Sequence, residues 1–149
     1  LFEASARLGA ILAGAGPVME QSCSEYGRAL GTAFQLVDDL LDYDGETHEL
    51  GKNVGDDLRE GKPTMPLLVA MARGNEAERA LIRHAIEQGE VTRLPQVVAA
   101  VRRTGAIDAA RELAAAEAAT ARACAAGLPP SVFRDALLHL CARAVDRSS

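Results

Sequence analysis

Apolar and polar positions alternate at helical spacing along most of the chain, and glycine and proline mark where one run stops and the next begins. The first run reaches from Leu1 to about Ala13 and closes at Gly14-Ala15-Gly16. Pro17 suits the first turn of a second, long helix extending to about Tyr43, because proline's missing N–H would be unpaired there anyway. Gly27 and Gly31, one turn apart within it, predict the close approach of a neighbouring helix. From Asp44 to Gly61 the periodicity disappears into charge and glycine, which reads as a long loop. Pro63 starts a helix through Met65, Leu68 and Ala72 that ends at Gly74, and Asn75 caps another that runs to about Glu87 before Gly89. Leu94, Val97, Val98 and Val101 mark a short helix ended near Gly105, and an alanine-rich helix follows from Ala106 to Ala126. Pro129-Pro130-Ser131 leads into a last helix with Phe133, Ala136, Leu137, Leu140, Cys141 and Ala144 on one packed side. No strand or repeat emerges, so the predicted fold is all-α, with residues 1–149 as a single helical domain.

Composition agrees with that pattern. Of 149 residues, 48% are hydrophobic and 25% charged, as in an ordinary globular domain, and the 2 Tyr and 3 Phe leave packing to Ala, Leu and Val. A net charge of −5 excludes broad electrostatic attraction to nucleic acid or anionic lipid. No apolar run is long enough for a transmembrane segment, so the chain reads as soluble and cytoplasmic. Cys23, Cys124 and Cys141 are odd in number and far apart, which fits buried thiols rather than a disulfide framework or a zinc site. The opening Leu1-Phe2-Glu3 has neither an initiator Met nor a basic leader, and reads as the inside of a helix belonging to a longer protein.

Chemistry is concentrated in one place. Gln35, Asp38, Asp39 and Asp42 follow the i, i+3, i+4, i+7 spacing, forming an acidic stripe on a helix otherwise lined by Leu30, Ala33, Phe34, Leu36, Val37, Leu40 and Leu41. A stripe so narrow is expected to face a cleft. Carboxylates on adjacent turns, roughly 6 Å apart, repel by about 3 kcal/mol at an effective dielectric near 20, so inside a cleft they need protons or a cation. Hard oxygen donors suit Mg²⁺. Behind the stripe come Lys52, Arg59 and Lys62 among glycines, which can receive an anion that bridges to the metal, as a diphosphate does. The stretch from Gly55 to Thr64 is not a P-loop, since Pro63 stands where the Mg²⁺-binding Ser or Thr belongs. Nor is Asp42-Tyr43-Asp44-Gly45 an EF-hand, since the first and last ligand positions would be Leu40 and Gly51. His48, His84 and His139 have no partner at metal-ligand spacing.

Three strings in order, Phe34-Gln35-Leu36-Val37-Asp38-Asp39-Leu40-Leu41-Asp42, Leu50-Gly51-Lys52-Asn53-Val54-Gly55-Asp56-Asp57 and Gly61-Lys62-Pro63-Thr64-Met65-Pro66-Leu67-Leu68, closely resemble the second aspartate-rich region of trans-type prenyl diphosphate synthases. Within that family the match is most like the bacterial octaprenyl and related polyprenyl synthases. The resemblance implies the C-terminal part of an all-α bundle around a central cavity, usually a homodimer. It implies a transferase of isoprenoid biosynthesis that uses Mg²⁺ to ionise an allylic prenyl diphosphate and adds isopentenyl diphosphate head to tail, giving a long-chain polyprenyl diphosphate. Carried over, Asp38 is the principal metal ligand, Asp39 and Asp42 support it through water or less direct contacts, and Lys52 binds the allylic diphosphate. Phe34 and Gln35 lie near the reacting carbons, and Lys62 and Asp57 shape the charged loop. The family's first DDxxD, with its paired arginines, has no counterpart in these residues, so the chain alone is expected to be inactive. Two alternatives share features of the pattern. A terpene cyclase typically lacks the lysine loop, and a non-catalytic partner subunit of a heteromeric synthase tends to lose the acidic motif.

Overall fold

The computed structural model describes residues 1–43 and 55–146. Among the described residues there are α-helices and no strand: α1 (Phe2–Leu12), α2 (Pro17–Leu41), α3 (Asp56–Arg59), α4 (Met65–Arg73), α5 (Glu76–Gln88), α6 (Leu94–Arg103), α7 (Ala106–Ala126) and α8 (Val132–Val145). The all-α expectation holds. The helix ends fall close to the glycine and proline marks, with one exception: α3 lies inside the segment expected to be loop. It is four residues long, has acidic Asp56 and Asp57 in its first turn and Arg59 in its last, and buries only Leu58, too little to show as periodicity.

The chain forms two compact units, Leu1–Val37 with Leu113–Ser149, and Asp38–Glu112, whose boundaries fall within α2 and α7. In the first unit, α1 lies directly on α2. A Cβ added at Gly27 would stand 2.5 Å from the Phe2 carbonyl oxygen, and one at Gly31 3.0 Å from the Phe2 Cβ. That is the close approach the two glycines predict. The Phe2 and Phe34 rings meet at 5.6 Å between centroids, within the range of favourable tilted pairs. Tyr26, Ala29, Leu30, Ala121, Ala125, Cys141 and Ala144 form the core of this unit. The Tyr26 hydroxyl donates to the Leu137 carbonyl at 3.2 Å, fixing α2 against α8. The Ser131 side chain caps α8 by accepting from the Arg134 N–H at 3.1 Å.

The expectation for α8 needs correction. Cys141 and Ala144 are buried, but Ala136 is exposed, and Phe133 and Leu140 are 78% and 50% exposed. Periodicity finds an apolar stripe; it does not say how much of that stripe the same unit covers. All three cysteines are free thiols; Cys141 is buried, whereas Cys23 and Cys124, expected to be buried too, are only half-buried.

In the second unit α4, α5 and α6 pack on one another and α3 packs on α5. Tyr43, Leu58, Leu67, Ala70, Ile82, Ala85, Val97, Ala100, Val101 and Ala106 fill its core. Asn75 and Glu78 form a reciprocal cap at the start of α5, with the Glu78 N–H reaching Asn75 at 3.0 Å and the Asn75 N–H reaching Glu78 at 2.8 Å. Gly89 ends that helix at φ +59°, and a Cβ there would lie 2.6 Å from the Arg59 carbonyl oxygen, so both the turn and the neighbour require glycine.

Candidate functional site

The C-terminal end of α2 enters the second unit as Asp38-Asp39-Leu40-Leu41, followed by Asp42 and Tyr43. Leu40 and Tyr43 are buried, which turns the carboxylates toward the segments that begin α3 and α4. Asp39 is 9% exposed, and its Oδ2 accepts from the Met65 N–H, the first of α4, at 3.3 Å. Asp42 is 4% exposed; its Oδ2 accepts from the Asp57 N–H at 3.2 Å, and its carbonyl accepts from Gly55 at 3.3 Å. Helix starts present N–H groups with no partner inside the helix and a partial positive charge, so a carboxylate is a favourable acceptor there. Asp38 is half-buried.

Behind these groups sits a neutral contact. Tyr43 is fully buried, Thr64 is 5% exposed, and the Thr64 hydroxyl donates to the Tyr43 phenol oxygen at 3.3 Å. Burial holds the phenol well above its ordinary pKa against the opposing Thr64 bond, and the charges of Asp42, Asp57 and Asp39 add to the effect, so Tyr43 stays protonated.

Lys62 is exposed, with its Nζ 3.0 Å from Asp57 and 2.6 Å from Glu60. Its bonds to Glu60 and Asp57 raise its pKa. Lys52 lies outside the described residues. In the first unit, Gln35 is exposed and Phe34 is half-buried against Phe2. Phe34 also lines an open, largely apolar hollow of about 300 Å³ with Phe2, Leu30, Leu140, Arg143 and Ala144.

Among the described residues no group of three or more His, Cys, Asp or Glu side chains is arranged to hold a metal ion. Asp38 and Asp39 lie in the last turn of α2 and Asp42 just past it, with Asp39 and Asp42 buried against the Met65 and Asp57 N–H groups, so the three form one acidic wall. The donor chemistry of that wall fits a hard divalent cation. Burial raises the Asp42 carboxyl pKa and the Asp57 charge adds to that, against the Asp57 and Asp56 N–H bonds.

A stability test follows from Asp42. A raised acid pKa means the folded state holds the proton more tightly than the unfolded chain. Stability from this group is therefore full below the unfolded value and lost as pH rises through the folded one. Asp42→Asn keeps an oxygen for the Asp57 N–H and removes the charge. In metal-free buffer near neutral pH the full-length variant is expected to melt above wild type, and the gain should fade as the pH is lowered to the unfolded value of 3.8. A difference in Tm that does not change with pH would contradict the assignment.

Residues 1–101 match the family described as polyprenyl synthetase. The chain belongs to that family. It is 49% identical over 148 residues to octaprenyl diphosphate synthase of Escherichia coli (strain K12), a match covering 99% of this chain and 46% of that one. In structure it resembles a decaprenyl diphosphate synthase from Rhodobacter capsulatus with a TM-score of 0.88 and 42% identity, over 99% of this chain and 46% of that one. It also resembles a polyprenyl synthase from Caulobacter crescentus CB15 complexed with calcium and isoprenyl diphosphate, with a TM-score of 0.84, 42% identity and the same coverage of 99% and 46%. The chain thus spans about half the length of these relatives.

The family resemblance read from the three motif strings therefore holds, as does its helical fold. These relatives are polyprenyl synthases by name, which does not favour the cyclase and non-catalytic alternatives. Among the described residues no helix is long and apolar enough to cross a membrane. Two residues to which the sequence analysis gave no role stand beside the acidic positions and the lysine motif: Tyr43, read as the end of a helix, and Thr64, two residues after Lys62. Their link spans 21 positions, and the one local signal was an aromatic residue placed directly after the last acidic position.

Proposed function

We propose that the full-length protein condenses isopentenyl diphosphate head to tail with an allylic prenyl diphosphate, building a long-chain polyprenyl diphosphate with Mg²⁺. The observation that carries this reading is the acidic end of α2, held against the starts of α3 and α4 by Asp42 and Asp39, in a chain of the polyprenyl synthetase family. Divalent metal ions serve prenyl diphosphate binding in that family. Asp38 would ligate the cation most directly, with Asp39 and Asp42 supporting it through their remaining oxygens or through water. Mg²⁺, when bound, supplies positive charge that stabilises the departing diphosphate.

This chain's own residues do the rest. Lys52 would bind the allylic diphosphate, and Lys62 would join it by exchanging an exposed intrachain partner for the anion. Such an exchange costs little, because surface ion pairs are weak. Phe34 and Gln35 would face the reacting carbons, and the apolar hollow beside Phe34 is suited to a hydrocarbon chain. The allylic C–O bond breaks with its electron pair leaving on diphosphate, the double bond of isopentenyl diphosphate supplies the new C–C bond, and the condensed cation loses a proton to the departed diphosphate, which forms the new double bond. The working assembly is a homodimer.

The test is incubation of the full-length protein with Mg²⁺, isopentenyl diphosphate and farnesyl diphosphate, followed by sizing of the products. Repeated extension of the primer is expected, and it should stop when the metal is chelated. Folded protein that consumes no isopentenyl diphosphate would overturn the reading. The 149 residues on their own are expected to give no turnover in the same assay.

A further inference from the structure

Three links join the end of α2 to the segment between Gly55 and Met65: Asp42 to the Asp57 N–H, Asp39 to the Met65 N–H, and Thr64 to Tyr43. Two of them use carboxylates assigned to the metal wall, whose charge a bound cation would draw upon. The third is neutral and buried. Tyr43 directly follows Asp42, and Thr64 directly precedes Met65, so this link is adjacent in sequence to both of the others. Its ring end is fixed by the core formed with Leu58, Leu67, Ile82 and Val97.

Resting on the proposed synthase reading, we propose that Tyr43 and Thr64 are a positioning pair. They hold the acidic end of α2 in register with the start of α4, and so set the affinity for divalent cation and diphosphate without touching either. Successive helical residues are turned by about 100°, so a small rotation of this end redirects every carboxylate on it. A purely structural role, with Tyr43 as a core residue whose hydroxyl happens to be satisfied, would alter stability alone.

Tyr43→Phe keeps the ring and removes the acceptor, Thr64→Val keeps the shape and removes the donor, and Thr64→Ser keeps the hydroxyl. In the full-length protein, binding of Mn²⁺ with inorganic pyrophosphate is measured by calorimetry, alongside Tm and steady-state kinetics. Tyr43→Phe and Thr64→Val are each expected to weaken Mn²⁺-pyrophosphate binding about three- to tenfold, the scale of one buried hydrogen bond. KM for the allylic diphosphate should rise in parallel while kcat stays within about twofold, as for a lost binding contribution. The double variant should be no worse than the weaker single one, and Thr64→Ser should restore wild-type binding. Lower Tm with unchanged Mn²⁺-pyrophosphate affinity and KM would overturn the proposal. If Thr64→Val does not fold, Tyr43→Phe decides alone, because its ring still fills the core. Wild-type protein that binds no Mn²⁺-pyrophosphate would instead count against the synthase reading itself.

Discussion

Asp38→Ala in the full-length protein is expected to lower kcat by about two to three orders of magnitude, the scale seen when one element of transition-state charge stabilisation is removed. Asp39 and Asp42 each have an oxygen engaged by the N–H of a helix start, so their removal would disturb α4 or α3 as well as the proposed metal site. Asp38 is more exposed than either, so a larger share of its loss should appear in turnover and a smaller share in Tm. The measurement is incorporation of isopentenyl diphosphate at saturating Mg²⁺, paired with thermal unfolding of the same preparation. Turnover within about threefold of wild type would remove Asp38 from the principal ligand role, since a metal ligand should cost far more.

The second large effect is expected in the first unit. Gly27→Ala places a methyl group where the nearest atoms are backbone, the Phe2 carbonyl oxygen at 2.5 Å and the Glu3 Cα at 2.7 Å. Alanine favours a helix interior by about 1 kcal/mol over glycine, so propensity alone predicts stabilisation. Overpacking against a backbone that cannot rotate away typically costs about 1–3 kcal/mol, and here it should win. A lower Tm is expected for Gly27→Ala. A smaller loss is expected for Gly31→Ala, whose methyl meets the Phe2 side chain at 3.0 to 3.3 Å. A rise in Tm for Gly27→Ala would mean that α1 does not lie this close to α2.

How far sequence alone reached can be seen in particular elements. Asn75, Ser131 and Pro17 act through neighbours a turn away, so the starts of α5, α8 and α2 were legible as local chemistry. The end of α5 was legible because Gly89 occupies a backbone region that other residues avoid. The Asp38, Asp39 and Asp42 stripe was legible for the same reason: helical spacing states which residues share a side. What those side chains meet was not. The Met65 N–H lies 26 positions from Asp39 and Thr64 lies 21 from Tyr43, separations over which no periodicity carries information. Nor were the bonds of Lys62 to Asp57 and Glu60 legible, because they depend on how α3 turns the chain. The α8 stripe showed the converse limit, since Phe133 and Leu140 follow the apolar pattern of a packed helix while remaining exposed.

The buried residues Ala114, Ala118, Ala121 and Ala125 of α7 lead to a last consequence, for how this protein can change over generations. A core built on leucine can lose volume or gain it. A core surface built on methyl groups has nothing left to trim except the methyl itself, and glycine there would cost about 1 kcal/mol in helix preference. Almost every other replacement adds atoms to a space already closed. Drift along this side of α7 is therefore confined to the smallest residues, and diversification of the unit has to proceed through the helices that pack on it.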